Sequence, residues 1–264
     1  MCLVAFALDA HPRHRLVLVG NRDEATDRPA SPLARWADAP HVVAGRDRVA
    51  GGTWLGVTDA GRWAVLTNVR DPLNPRPATR SRGALAADFL RGGESAEAYA
   101  GRVFAERGQY DGFNLVVGDG TDARVVSTRS DAITVLGAGV YGLSNDRLDT
   151  PWPKLVRART GVRAALDSDP VPLATLLDLL DDTTRAPDPA LPDTGVGLEL
   201  ERVLSAARIV TPGYGTRVTT ALVLDRDGTG AITEKTWNAD GTADGTVRLA
   251  VGAGLRQADG QARP

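Results

Sequence analysis

Apolar residues fall in short runs over residues 3–67, and the runs predict strands. Residues 3–8 and 15–19 flank the turn His11-Pro12-Arg13-His14 and read as a hairpin. Residues 41–44, 53–57 and 63–67 predict further strands, separated by Gly51-Gly52 and Asp59-Ala60-Gly61. The period then changes. Residues 81–91 carry Leu85, Phe89 and Leu90 on one helical face, and residues 94–107 continue as helix beyond a Gly-Gly break. Strands return at 114–117, 124–127 and 133–136. Helices follow at 153–166 and 172–180, the second with Leu173, Leu176, Leu177 and Leu180 at the spacing of one helix face.

Residues 183–197, rich in Pro, Asp and Gly, predict a surface loop. Residues 216–224 and 231–237 predict a hairpin around Asp225-Arg226-Asp227-Gly228. From Gly252 the chain is polar and Gly-rich and reads as a frayed tail. No internal repeat or linker divides the rest, so residues 1–251 are expected to form one domain, with 252–264 as its tail. The order of strands, helices, strands, helices, strands predicts an α+β architecture with mostly antiparallel sheets.

Composition narrows the function classes. A net charge of −2 over 264 residues creates no bulk field that would gather nucleic acid or anionic lipid. Among the 31 cationic residues only Lys154 and Lys235 are lysines, which reads as the coding bias of a GC-rich bacterial genome. A single cysteine excludes an intramolecular disulfide framework, so the fold must rest on its core. The N-terminus has no basic leader and no apolar run reaches membrane length, so the expectation is a soluble, cytoplasmic protein.

The candidate chemistry starts at that cysteine. Cys2 becomes residue one if Met1 is trimmed, and its own α-amine, with an ordinary pKa of about 8, could then take the thiol proton and return it to a leaving group. On position alone the thiol reads first as a small hydrophobe opening a strand. Asn21-Arg22-Asp23-Glu24 directly follows an apolar run, so it is placed at a strand end, as a solvated turn or as support for the thiol. Arg22 could lower the thiol's pKa, and Asp23 or Glu24 could orient the amine. Asn68 and Asn145 are either turn residues or amide donors to an oxyanion. Pro212-Gly213-Tyr214-Gly215-Thr216-Arg217 offers close backbone approach followed by a guanidinium. The three histidines fall in no metal-ligand pattern, and phosphate-loop, CxxC, HExxH and GxSxG signatures are absent.

Taken in order, Met1-Cys2, Asn21 to Glu24, Arg28-Pro29, Ala44 to Asp47, Gly51 to Gly56, Leu66-Thr67-Asn68, Gly112 to Leu115, Tyr141 to Asn145, Thr150-Pro151-Trp152 and Pro212 to Arg217 form a pattern that resembles the NRDE family over residues 2–237. Eukaryotic members of that family are called transport and Golgi organisation protein 2. The resemblance implies the four-layer αββα sandwich of N-terminal nucleophile (Ntn) hydrolases, and a likeness to acylases that cleave linear amides. It implies Cys2 as nucleophile, supported by Arg22, Asp23, Asn68, Asn145 and Arg217. The acylases usually carry Arg-Asn-x-Asp, whereas Arg22 and Asp23 are adjacent, and adjacent residues of a strand point to opposite faces. Glu24 would share the face of Arg22, which leaves the orienting carboxylate open between Asp23 and Glu24. The implied function is hydrolysis of a linear amide or related acyl bond in a small molecule, without metal or cofactor. The alternative is a non-catalytic carrier that binds haem, acyl-CoA or a lipid-like ligand in the same pocket.

Overall fold

The computed structural model describes residues 2–76 and 78–252. Six strands open the chain: β1 (Cys2–Leu8), β2 (His14–Ala25), β3 (Ala30–Trp36), β4 (Ala39–Asp47), β5 (Leu55–Thr58) and β6 (Trp63–Asn68). Helices α1 (Gly83–Arg91) and α2 (Ala96–Glu106) follow, then β7 (Phe113–Gly118), β8 (Ala123–Ser127), β9 (Thr134–Val135) and β10 (Gly139–Leu143). Next come α3 (Pro153–Ala165), α4 (Leu173–Leu179) and α5 (Leu198–Leu204). The last strands are β11 (Val210–Thr211), β12 (Tyr214–Asp225), β13 (Gly230–Trp237) and β14 (Ala243–Val251). The expected frayed tail, from residue 253 onward, lies outside the described residues.

The strands form two sheets whose pairings are all antiparallel. One runs β10-β1-β2-β12-β13-β14, with β11 paired to β12, and the other runs β3 to β9 in chain order. Side-chain alternation sorts the core into three layers. In β1, Val4, Phe6 and Leu8 meet Val65, Val116 and Trp63 of the facing sheet, while Leu3, Ala5 and Ala7 meet Leu155 and Val162 of α3 and Leu176 of α4. On the far face of the second sheet, Leu66, Leu115 and Val117 pack on Leu85, Phe89 and Tyr99 of α1 and α2. The result is the expected helix, sheet, sheet, helix sandwich. Strands covered on both faces read as near-continuous apolar runs.

Local differences from the expectation fall where burial or pairing overrides local pattern. Residues 21–24 are not a strand end: β2 continues to Ala25, and Asn21, Arg22 and Asp23 are buried. The chain extends because β1 pairs with it on one side (Cys2 opposite Arg22) and β12 on the other (Thr216 opposite Asp23). Strands β3, β10 and β14 and helix α5 had no sequence signal. All three strands are sheet edges, each paired on one side only: β3 with β4, β10 with β1 and β14 with β13.

Two glycine-bearing segments named in the sequence pattern make close approaches near the end of β2. A Cβ on Gly45 would lie 2.4 Å from the Trp54 ring, and one on Gly52 would lie 2.3 Å from the backbone of Gly83. Glycine at both positions lets Trp54 lie against β4 and lets the loop before β5 press on the start of α1.

Candidate active site

Strand parity decides what surrounds Cys2. Leu16 and Leu18 of β2 face the opposite sheet, so Arg22 and Glu24, on the same alternation, face that way too. Val17 and Val19 face α3 and α4, and Asn21 and Asp23 share their side. Cys2 opens β1 in direct register with Arg22. It lies on the wall of a cavity of about 230 Å³, together with Arg22, Asp23, Trp54, Asn68 and Arg82. The thiol is nonetheless 8% exposed and buried.

Arg22 is held rigidly. Its guanidinium donates to Asp47 at 3.1 Å and to Glu24 at 3.5 Å, and it stacks over Trp54 at 4.7 Å. Asp47 also receives two hydrogen bonds from Arg28 and the backbone N–H groups of Val49 and Ala50. Burial opposes ionisation of Asp47, but these donors outweigh it and hold the carboxyl below its ordinary range. Arg22 thus lines the cavity together with its counter-ions Asp47 and Glu24.

The two carboxylates beside it differ sharply. Asp23 is 1% exposed and accepts the Thr216 hydroxyl at 2.7 Å, whereas the Glu24 side chain is 30% exposed and engages Arg22 and Arg28. Burial raises the Asp23 carboxyl above its ordinary range, and Lys154, the Thr216 hydroxyl and Arg70 offset that rise only in part. Burial also raises the Cys2 thiol. Arg22 and the Asp23 backbone N–H, which donates to the sulfur, favour the thiolate and the Asp23 carboxylate opposes it, but burial prevails and the thiol stays above its ordinary range.

The two asparagines separate. Asn68, at the end of β6, reaches the cavity. Asn145 is fully buried: its amide donates to the Asn68 carbonyl at 3.0 Å, and its oxygen accepts from Ser144 at 3.2 Å. Ser144 in turn donates to the Cys2 carbonyl at 3.3 Å. Asn145 therefore ties the end of β10 to Asn68 and to the start of β1. Arg217 occupies a β-bulge between Thr216 and Val218. It lines a neighbouring cavity of about 260 Å³, which shares Arg22, Arg28 and Trp54 with the first. The structure thus brings Cys2, Arg22, Asp23 and Asn68 to one cavity, with Asn145 behind it and Arg217 on the adjoining one.

Sequence reasoning missed a buried ionic group on the helix side. Lys154, the second residue of α3, is 1% exposed. Nearby, Arg70 pairs with Glu201 at 2.7 Å, lies over Trp152 at 4.9 Å and reaches Asn145 at 3.5 Å. One sequence signal pointed at Lys154: it is one of two lysines in a chain that otherwise uses arginine. Arginine stays charged in proteins, so a retained lysine marks a place where proton affinity can move.

Among the described residues one set, His11, His14 and Asp169, brings metal-capable atoms within 4.8 Å of one another. Its lone pairs are already spent. His11 Nδ1 accepts the backbone N–H groups of Arg13 and His14, and its Nε2 faces the Ser168 carbonyl. His14 Nε2 accepts the Val171 N–H, and its Nδ1 meets Asp225. The stacked rings pin the β1–β2 turn to the segment before α4 and to the β12–β13 hairpin.

The two facing antiparallel sheets between helix layers define the fold class of the Ntn hydrolases. A mutant of the conjugated bile acid hydrolase from Clostridium perfringens, with the cysteine at position 2 replaced by alanine, shares this fold with a TM-score of 0.52 at 9% identity, over 94% of this chain and 92% of that one. By sequence the chain belongs to the Transport and Golgi organisation 2 family, whose model matches residues 1–239. It is 35% identical to the human transport and Golgi organization protein 2 homolog, covering 89% of this chain and 92% of that protein. It is 28% identical to transport and Golgi organization protein 2 of Drosophila melanogaster, covering 86% and 89%. No helix among the described residues is long and apolar enough to cross a membrane.

Proposed function

We propose that the protein is a cysteine amidohydrolase of the Ntn type, acting on a linear amide or related acyl bond of a small polar molecule. The observation that carries this reading is Cys2 itself. The first residue of the central hairpin places its sulfur on a cavity wall, in register with a fixed guanidinium and within reach of the Asp23 N–H. With Met1 removed, the α-amine of Cys2 takes the thiol proton as the sulfur attacks the substrate carbonyl carbon. The Asn68 amide donates to the oxyanion. Collapse expels the leaving amine, which takes the proton from the α-amine, and leaves a thioester on Cys2. Water activated by the same amine cleaves the thioester, releasing the acid and restoring the thiol. The orienting role falls to Asp23, which is buried, in preference to the partly exposed Glu24.

A carrier that uses the same site is the second reading, and one observation favours it. Arg22, Arg28 and Arg217 line the adjoining cavity and suit a carboxylate or phosphate group. Hydrolysis assays over acylated amino acids, lactams and acyl-thioesters separate the two readings. The expected outcome is turnover in at least one class, falling about a hundredfold or more in Cys2→Ala. Stoichiometric binding without turnover, unchanged in that variant, rejects the hydrolase and leaves the carrier.

A further inference from the structure

Arg70 and Glu201 form an ion pair at 2.7 Å, and their side chains are 5% and 3% exposed. The reaction above uses neither. Two apolar side chains of similar volume would fill the same space at no loss of stability. What the pair adds is direction, since each hydrogen bond it makes fixes the group at its other end.

Both ends are fully engaged. One Glu201 oxygen accepts from Arg70, and the other accepts the Thr194 backbone N–H at 2.9 Å and the Thr194 hydroxyl at 2.5 Å. The Arg70 guanidinium lies over the Trp152 ring at 4.9 Å, and its second terminal nitrogen reaches the Asn145 side-chain oxygen at 3.5 Å. The tighter link to Asn145 runs through the main chain, where the Arg70 N–H donates to the Asn145 carbonyl at 2.7 Å. One residue therefore grips Asn145 twice.

Asn145 joins the two sheets at the cavity end. It follows β10, in the sheet of β1, yet its amide donates to the backbone carbonyl of Asn68, the last residue of β6 in the facing sheet. Its side-chain oxygen shares the Ser144 hydroxyl with the Cys2 carbonyl. The main chains of Asn68 and Cys2 are thus tied to one side chain. The side-chain amide of Asn68 makes no hydrogen bond among the described residues and is left to donate into the cavity. Resting on the reading of Cys2 as nucleophile and Asn68 as oxyanion donor, we propose that Arg70 and Glu201 are positioning residues that hold Asn145 in the orientation which sets the spacing between the Cys2 sulfur and the Asn68 amide. Arg70 follows Asn68 by only two residues, so loosening its guanidinium is felt at the donor directly.

The test separates reaction at the sulfur from reaction that builds an oxyanion. Iodoacetamide needs only the sulfur. With p-nitrophenyl acetate the sulfur attacks the ester carbonyl, the tetrahedral oxyanion collapses, nitrophenolate leaves and an acetyl thioester remains. Both rates are measured on the native full-length protein, in wild type and in Arg70→Met/Glu201→Leu, each with and without Asn68→Ala. The apolar pair should keep a melting temperature near or above that of wild type and an alkylation rate within about twofold, while acylation slows about tenfold or more. In Asn68→Ala acylation is already slow, and the apolar pair should slow it no further, a coupling that a general loss of packing would not produce. Arg70→Lys keeps the charge facing Glu201 but not the fork that also reaches Asn145. It serves as the second variant if the apolar pair does not fold, and it should slow acylation in the same direction. Acylation retained in these variants, acylation and alkylation falling together, or losses that multiply in full with that of Asn68→Ala overturn the inference and leave Cys2 as nucleophile. A wild-type protein that releases nitrophenolate no faster than Cys2→Ala removes the hydrolase reading itself, and this inference with it.

Discussion

Asp47 is the residue on which the cavity's shape most depends. It accepts five hydrogen bonds, from Arg22, from Arg28 twice, and from the Val49 and Ala50 N–H groups. Its side chain is 12% exposed and that of Arg22 6%, so the pair is shielded from solvent screening. Breaking a buried pair strands the surviving charge. Asp47→Asn should therefore lower stability by about 3 kcal/mol in denaturant melts, and slow any reaction at Cys2 by loosening Arg22. Arg28→Ala removes a partner that is 33% exposed and should cost less than about 1 kcal/mol. Equal losses in the two variants would contradict this picture of Asp47. The role of Arg22 was legible in the sequence through its place after an apolar run. That of Asp47 was not, because its partners arrive from β2, 25 residues away, and from the turn after it, 19 residues away.

At the scale of elements, Glu234 is an inter-sheet latch. It sits on β13 and accepts the Thr220 hydroxyl at 3.0 Å within its own sheet and the Leu33 N–H of β3 at 2.8 Å across the core. Burial raises its carboxyl to about 7, although the hydrogen bonds and Arg22 oppose the rise. A carboxyl with a higher pKa folded than unfolded holds its proton more tightly in the native state. Its contribution is therefore full below pH about 4 and is lost as the pH climbs to about 7. Glu234→Gln should flatten the decline in stability between pH 5 and pH 8 and gain up to about 3 kcal/mol at pH 8. An unchanged decline in the variant would exclude Glu234 as its source. The latch also explains which elements the sequence conceals. Central strands such as β1 and β2 announce themselves by apolar runs. Strand β3, by contrast, carries Pro32 and Arg35 at an edge, and β14 exposes nearly every position, so both owe their extended form to distant partners. Helix α5 is a single short stretch with Leu198 and Leu200 exposed, and its register is set by Glu201 reaching Arg70.

Over the whole molecule, the two sheets and their outer helices bring Cys2, at the start of β1, to the same place as Asn68 of the opposite sheet, Trp54 just before β5 and Arg82 in the loop before α1. The layer order was legible because strand and helix periods alternate along the chain in blocks. The ionic group behind Cys2 was not, since Arg70, Lys154 and Glu201 come from three separate segments and meet only in the folded chain. The architecture gives Cys2 a cavity in front and a charged cluster behind, and the hydrolase reading requires that its sulfur react and the backbone nitrogen beside it be free. Intact-mass analysis of the native protein before and after brief treatment with iodoacetamide tests this most directly. The account predicts a chain lacking Met1 that gains one adduct, on Cys2, without denaturant. A chain that retains Met1, or that gains the adduct only after unfolding, would contradict it.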